Sequence, residues 1–416
     1  MTTVVEPAAG TAPAHRTTRA VVTGIGVTAP NGLGREAWWR ATRQGESGIR
    51  RISRFDPDRY PARLAGEVPD FDPGRHTPGR LVPQTDHMTR LALYAAAEAV
   101  DDAGLDPAQG PEFGVGVVTA STAGGFEFGQ RELQALWSKG GNHVSAYQSF
   151  AWFYAVNSGQ ISIRHGLRGP SGVIVTDQAG GIDAVAQARR HLRKGVPAVV
   201  TGGVDGSICP WGWAAHLADG RLATGTDPAT AYLPFAAAAA GHVVGEGGAI
   251  LVLESAEAAA ARGARVYGEV AGLAAAFDPV AGPPKLARAA ELALADAGLK
   301  PGEIDVVFAD GAGTAADDRA EAEALTALFG PGGVPVTVPK TMTGRLGAGG
   351  ASLDVAAALL AVRDGVIPPT VNVGRPDPAY RIDLVTEPRR QAVRTALVLA
   401  RGRGGFNSAA VVRAAS

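Results

Sequence analysis

Cysteine is nearly absent from these 416 residues. The single thiol, Cys209, leaves no disulfide framework and no cysteine-built metal cluster, and a reducing cytoplasm fits that usage. Long apolar runs are missing as well: the helical-looking stretch 355–362 falls far short of the roughly 18 residues that a membrane-crossing helix requires. Neither sign of charge dominates. With 39 basic and 40 acidic residues the net charge is −1, so no whole-chain field would gather nucleic acid or an anionic membrane. Lysine is scarce, 5 against 34 arginines, which together with 56 glycines reads as genomic base composition. The 8 histidines show no paired metal-ligand spacing, so neither a metal site nor a tightly bound cofactor is expected. Residues 1–18 lack the basic start and apolar centre of a secretory signal and read as a flexible tail.

What is present is a globular chain, 46% hydrophobic with a mean hydropathy of +0.04, able to bury two ordinary cores or one large one. An internal repeat organises it. Asp102-Ala-Gly-Leu-Asp-Pro107 recurs as Asp296-Ala-Gly-Leu-Lys-Pro301, each after an alanine-rich helical pattern and before an apolar strand, at 113–118 and 304–308. In the same order, Ile182-Asp-Ala-Val-Ala186 resembles Leu353-Asp-Val-Ala-Ala357, and Lys194-Gly-Val-Pro197 resembles Asp364-Gly-Val-Ile-Pro368. Helical patterns alternating with buried strands imply an α/β class. Two similar halves, 19–260 and 261–416, are predicted, stacked as helix, sheet, helix, sheet and helix.

Three local patterns bear on chemistry. Gly24-Ile-Gly-Val-Thr-Ala29 after a strand matches a dinucleotide fingerprint, which would suggest an NAD-dependent dehydrogenase. Pro30-Asn31-Gly32 follows where a helix should continue, and a structural turn is the better reading. Next, a predicted strand at 172–177 and helix at 179–194 leave Gln178 at a sharp junction, a nucleophile's position facing the positive end of the helix dipole. An amide has no accessible ionisation and cannot use it. Last, residues 124–137 read as an amphipathic helix with Phe126, Gly129 or Gln130, Leu133 and Leu136 or Trp137 on one face, a pattern that by periodicity alone is an ordinary core stripe.

From residue 19 onward the chain resembles the thiolase-fold β-ketoacyl synthases and, more closely, the ketosynthase β subunits, or chain-length factors, of bacterial aromatic polyketide synthases. The resemblance rests on VTGIGVTAPNGLG (22–34), ASTAGGFEFGQRE (120–132), VTDQAGGIDA (175–184), GGVDGSICPWGW (202–213), AYLPF (231–235), GHVVGEGGAILVLE (241–254), PKTMTGRL (339–346) and GGFNSA (404–409). Active members use one cysteine and two histidines. The resemblance puts Gln178 at the cysteine position, Asp310 at the first histidine and Arg345 at the second, with Lys340 at a family lysine.

Claisen condensation needs an acyl-holding nucleophile and donors to the enolate, so this resemblance implies no catalytic residues. A salt bridge is expected to neutralise Asp310 with Arg345. By the same resemblance Phe126, Gly129 and Leu133 line the polyketide pocket and Trp211 closes its far part. Gly129 and Leu133 would leave room for a product longer than the octaketide class. The implied partners are a ketosynthase α subunit, meeting segments 146–160 and 171–176, an acyl carrier protein bringing the chain on phosphopantetheine, and the growing polyketide itself. One departure is a run of alanines at 236–240, where relatives often carry an aspartate, so the turn there must use other partners. The competing enzymatic readings are a malonyl-carrier decarboxylase acting through Gln178, although such relatives keep their histidines, and a condensing enzyme using Cys209, whose setting reads as packed core.

Overall fold

The computed structural model describes residues 18–415; all of the predicted tail but Thr18 lies outside the described residues. Eleven strands carry the architecture: β1 (Ala20–Ala29), β2 (Val115–Ala120), β3 (Ser171–Ile174), β4 (Ala198–Asp205), β5 (Gly247–Ser255), β6 (Gly268–Phe277), β7 (Val306–Phe308), β8 (Pro335–Thr337), β9 (Asp383–Leu384), β10 (Thr395–Gly402) and β11 (Phe406–Arg413). They form one hydrogen-bonded sheet in the order β9-β8-β7-β10-β11-β6-β1-β5-β4-β2-β3. Reading outward from its centre, β1-β5-β4-β2-β3 repeats as β6-β11-β10-β7-β8. Each series makes two antiparallel pairings and then two parallel ones. The series meet in a short antiparallel contact, Val21 opposite Glu269 and Val22 opposite Gly268.

The helices obey the same symmetry. Helix α1 (His87–Ala103) covers β1, β5 and β4 from outside, and α5 (Leu286–Ala297) covers β6, β11 and β10. Between the two series lie α3 (Gly180–Arg193) and α7 (Ala348–Asp364), packed on each other and on strands of both. This is the five-layer thiolase-like arrangement. Helix α7 is buried from Ala348 to Ala361, which explains why the apolar stretch 355–362 has no polar face. No helix among the described residues is long and apolar enough to cross a membrane.

The DAGLxP repeat has a physical cause. In both copies the glycine ends a helix in the left-handed conformation, Gly104 at φ 57° and Gly298 at φ 69°. The leucine N–H then donates back to the helix, Leu105 to Val100 O and Leu299 to Leu294 O, satisfying terminal carbonyls. The aspartate serves the neighbouring strand. β1 carries a bulge between Val22 and Gly24, β6 one between Val270 and Gly272, and beyond each bulge Asp102 or Asp296 accepts the next backbone N–H, that of Ile25 (3.0 Å) or Leu273 (2.9 Å).

Some predicted boundaries move. β1 runs unbroken through Gly24 and Gly26 to Ala29, so these glycines form neither the predicted turn nor a dinucleotide loop. They are required because α1 lies against the strand: a Cβ on Gly26 would overlap the carbonyl of Ala95, and one on Gly24 that of Ala99. The strand predicted at 172–177 ends at Ile174, and a single 3₁₀ turn, Asp177–Ala179, precedes α3. Gly26→Ala should therefore lower stability by about 3 kcal/mol through overpacking. Gly302→Ala, with open space around it, should change stability by less than about 0.5 kcal/mol. Chemical denaturation of the two variants checks both.

Candidate functional site

Gln178 sits in the turn that delivers the chain from β3 into α3, directly after Asp177, whose φ of 50° is rare for a side-chain-bearing residue. That conformation is held from outside: Asp177 Oδ2 accepts the backbone N–H of Arg403 at 2.8 Å. With its amide oriented so that oxygen faces the donor and nitrogen the acceptor, the Gln178 carboxamide meets the backbone of Gly347 in both directions, donating to Gly347 O and accepting from Gly347 N–H, each at 3.1 Å. Gly347 is the residue that leads into α7.

Asp310 follows β7 and Arg345 precedes α7. They form a bidentate pair, Arg345 Nη1 to Asp310 Oδ2 at 3.1 Å and Nη2 to Oδ1 at 3.0 Å. Arg345 also donates to the carbonyls of Asp310 (2.9 Å) and Arg401 (3.3 Å), while Arg401 N–H returns a bond to Asp310 Oδ1. Both side chains are buried, with 3% and 6% exposure. Burial alone would raise the Asp310 carboxyl; the charges of Arg345 and Lys340 outweigh it and hold the group below the ordinary carboxylate range. Lys340 is engaged too, 2.7 Å from Asp354 and donating to Ala309 O at 2.6 Å. Glu321, on α6 (Ala315–Phe329), accepts the backbone N–H groups of Asp310 and Gly311, and burial, followed by the charge of Asp310, pushes its carboxyl upward.

Gln178, Asp310 and Arg345 line one cleft of about 170 Å³. It also holds two histidines that sequence spacing did not single out, His216 and His242. Burial, followed by nearby arginine charge, lowers them to about 4 and about 3, so both are neutral at neutral pH. His216 meets Ser207 Oγ at 2.7 Å, while His242 Nδ1 has no hydrogen-bond partner. Spacing marks neither position, and the family-like segment 241–254 contains His242 without giving it a role; the folding of 206–219 and 242–245 against the loop at 345–347 brings both in. Cys209 is buried and its thiol is pushed up to about 11 by desolvation, which leaves it unreactive. The alanine-rich turn after Phe235 does use another partner: Phe235, at φ 62°, donates its N–H to Asp318 Oδ2 at 2.9 Å. The strand-to-helix junction thus carries an amide, which cannot accept an acyl group, with a closed ion pair in the same cleft.

The four pocket residues lie on a different surface. Helix α2 (Phe126–Lys139) buries Phe128, Gly129 and Glu132, so its core stripe is not the face running through Phe126, Leu133 and Trp137. That face borders a groove of about 470 Å³ lined by Leu133, Trp137 and Trp211. The Phe126 and Trp211 rings pack with centroids 4.5 Å apart at a tilt of 31°, and the Trp211 backbone N–H donates to Gln130 Oε1 at 2.7 Å at the start of α4 (Pro210–Leu217). The room expected at Gly129 is not open: a Cβ there would lie 2.9 Å from Trp152 Cδ1 and 3.1 Å from Trp211 Cζ3.

A thiolase-like fold, a strand-to-helix junction carrying an amide in place of a nucleophile, and an ion pair at its side define the class as a ketosynthase-like protein with a dismantled reaction centre. The chain belongs to the β-ketoacyl synthase family: the family's N-terminal domain model matches residues 17–259 and its C-terminal domain model 267–374. It is 61% identical over 399 residues to the tetracenomycin polyketide synthase ketoacyl synthase beta subunit of Streptomyces glaucescens, covering 94% of this chain and 98% of that one. To the corresponding alpha subunit of the same organism it is 38% identical over 418 residues, covering 96% and 97%. Among solved structures, the ishigamide ketosynthase/chain length factor superposes with a TM-score of 0.87 at 31% identity, covering 96% of this chain and 100% of that chain. A type II polyketide synthase carrier protein complexed with its hexaketide-bound ketosynthase gives 0.87 at 28%, with coverage of 96% and 100%. Within the family the chain therefore matches the β-subunit, chain-length-factor branch.

Two outcomes test the site. Gln178→Cys should gain a thiol at the α3 N-terminus that iodoacetamide alkylates, as seen by intact mass, while Cys209 stays unmodified; the variant should still condense no malonyl units, because residues 310 and 345 supply no imidazole. The second concerns pH. The folded-state pKa of His242 is depressed, so the unfolded chain takes up its proton first and stability is lost as pH falls below the ordinary histidine value of about 6.5. His242→Gln should remove about 2 kcal/mol of the stability difference between pH 7 and pH 5, measured by urea unfolding at each pH.

Proposed function

We propose that this chain is a non-catalytic chain-length factor, which pairs with a ketosynthase α subunit in the cytoplasm and forms one wall of the tunnel in which a poly-β-ketone grows. The observation that carries this reading is the pairing of Gln178 with Gly347 beside the closed Asp310–Arg345 ion pair. No acyl enzyme forms at such a site, so the chemistry has to come from a partner. The growing chain arrives on the phosphopantetheine arm of an acyl carrier protein, a substrate's tether and not a resident cofactor of this subunit.

The surface supports a partner of that kind. β3 is the last strand of the sheet and pairs on one side only, with β2, while Val175 just beyond it is 46% exposed. Trp152, Phe153 and Tyr154 are each more than 40% exposed, and Ile163 (77%) and Trp137 (84%) more so. Large apolar side chains left in water on neighbouring segments mark an association surface. These segments include 146–160 and 171–176, and the groove lined by Leu133 and Trp211 also takes in the exposed Trp137. The resemblance of the chain to the tetracenomycin beta subunit and to the ishigamide chain length factor points the same way.

Reconstitution tests the assignment. With an α subunit, carrier protein and malonyl donor, the mixture should make polyketide, whereas this chain without the α subunit should release no carbon dioxide from malonyl-loaded carrier. Release abolished by Gln178→Ala would overturn the reading in favour of a decarboxylase. Leu133→Phe should shorten the principal product by at least one ketide unit, as read by mass spectrometry, with the heterodimer still assembled.

A further inference from the structure

The position of Trp152 separates two roles that a single residue of α2 was expected to fill. Gly129 is buried yet has no side chain, and the space in front of it belongs to two indoles. Its would-be Cβ lies 2.9 Å from Trp152 Cδ1, 3.2 Å from Trp152 Nε1 and 3.1 Å from Trp211 Cζ3. The glycine therefore leaves no void; it lets a tryptophan from another segment press against the helix backbone.

The two indoles are not held alike. Trp211 has its backbone N–H bonded to Gln130 Oε1 in the first turn of α4, and its ring packs on Phe126 with centroids 4.5 Å apart at a tilt of 31°. Trp152 lies 6.1 Å from Trp211, inclined at 38°, and 44% of it is exposed. Its backbone is anchored, since Gly125 N–H donates to Trp152 O at 3.2 Å and the left-handed Gly124 (φ 83°) leaves no room for a Cβ beside that carbonyl. The indole itself has one packed side and one open side. Trp211, its packed neighbour, lines the 470 Å³ groove together with Leu133 and Trp137. A side chain on a fixed backbone, packed with Trp211 over the Gly129 gap of α2, stands behind the groove wall and is placed to decide how far the groove extends past Trp211.

We infer that Trp152 is a length-determining residue of the polyketide tunnel, acting with Gly129 as a complementary pair: the indole supplies the bulk that position 129 lacks. This rests on the reading of the α2 face as tunnel wall. Bulk at either member should be interchangeable, which a purely structural tryptophan would not show. Extension stops where added atoms meet packed side chains, because overpacking a buried wall is resisted.

The test uses the intact heterodimer with carrier protein and malonyl donor, and reads product mass. Trp152→Ala and the milder Trp152→Leu should shift the principal product upward by one ketide unit or more. Adding Gly129→Leu to Trp152→Ala should bring it back, while total malonyl consumption changes less than twofold. Leu133→Phe, run alongside, reports on the underlying reading. Unchanged product lengths in both Trp152 variants, with Leu133→Phe still shifting them, overturn the inference and leave the tunnel assignment standing. If none of the three shifts, the tunnel assignment itself fails. Loss of heterodimer in both Trp152 variants, judged by size-exclusion chromatography, makes Trp152 an interface anchor and also overturns the inference.

Discussion

A guanidinium taken out of water must find nearly all its partners inside the protein, and Arg345 finds them on two other segments. It meets both oxygens and the carbonyl of Asp310 after β7, and the carbonyl of Arg401 near the end of β10; Arg401 closes the ring through its own N–H. Lys340 with Asp354, and Glu321 beneath the Asp310 peptide, continue the network inward. Breaking one member would strand a buried charge, so the segments move together or not at all. Arg345 stands two residues before Gly347, and the geometry of this loop also positions the peptide that grips Gln178.

That grip joins the two halves of the molecule. α3 and α7 are equivalent helices of the duplicated architecture, packed side by side in the middle layer. Gln178 stands just before one and Gly347 just before the other, so the amide-to-peptide pair links the N-termini of symmetry-related elements. In a condensing enzyme this meeting point is where positive helix ends favour a thiolate. Here the same point holds a neutral group whose hydrogen bonds are internal.

Function then passes to the outside of the first half. Helix α2 buries Phe128, Gly129 and Glu132 and presents Leu133 and Trp137 to a groove, while β3 ends the sheet with its outer side unpaired. Burying these exposed rings against a partner would turn a groove into a tunnel. A wall built from packed aromatic rings on separately anchored segments resists deformation, and resistance is what a length gauge requires.

How much of this was legible from residues alone differs by element. The repeat Asp-Ala-Gly-Leu-x-Pro forecast the duplication because each of its residues has a local job, a left-handed cap or an N–H acceptor, that any copy must fulfil. That positions 178, 310 and 345 carry an amide, a carboxylate and a guanidinium was readable directly, since side-chain chemistry is written in residue identity. Gly24 and Gly26 misled as a turn because permissive backbone is equally the mark of a helix crossing close to a strand, and only the packing of α1 separates the two. His216 and His242 stayed unseen because their presence in the cleft depends on how distant segments fold onto the 345–347 loop. The space at Gly129 was misjudged for the same reason. Sequence alone determined which groups this chain has and lacks, because composition and local conformation are properties of short segments; which volumes are open was decided only by tertiary structure, because a cavity is bounded by residues far apart in the chain.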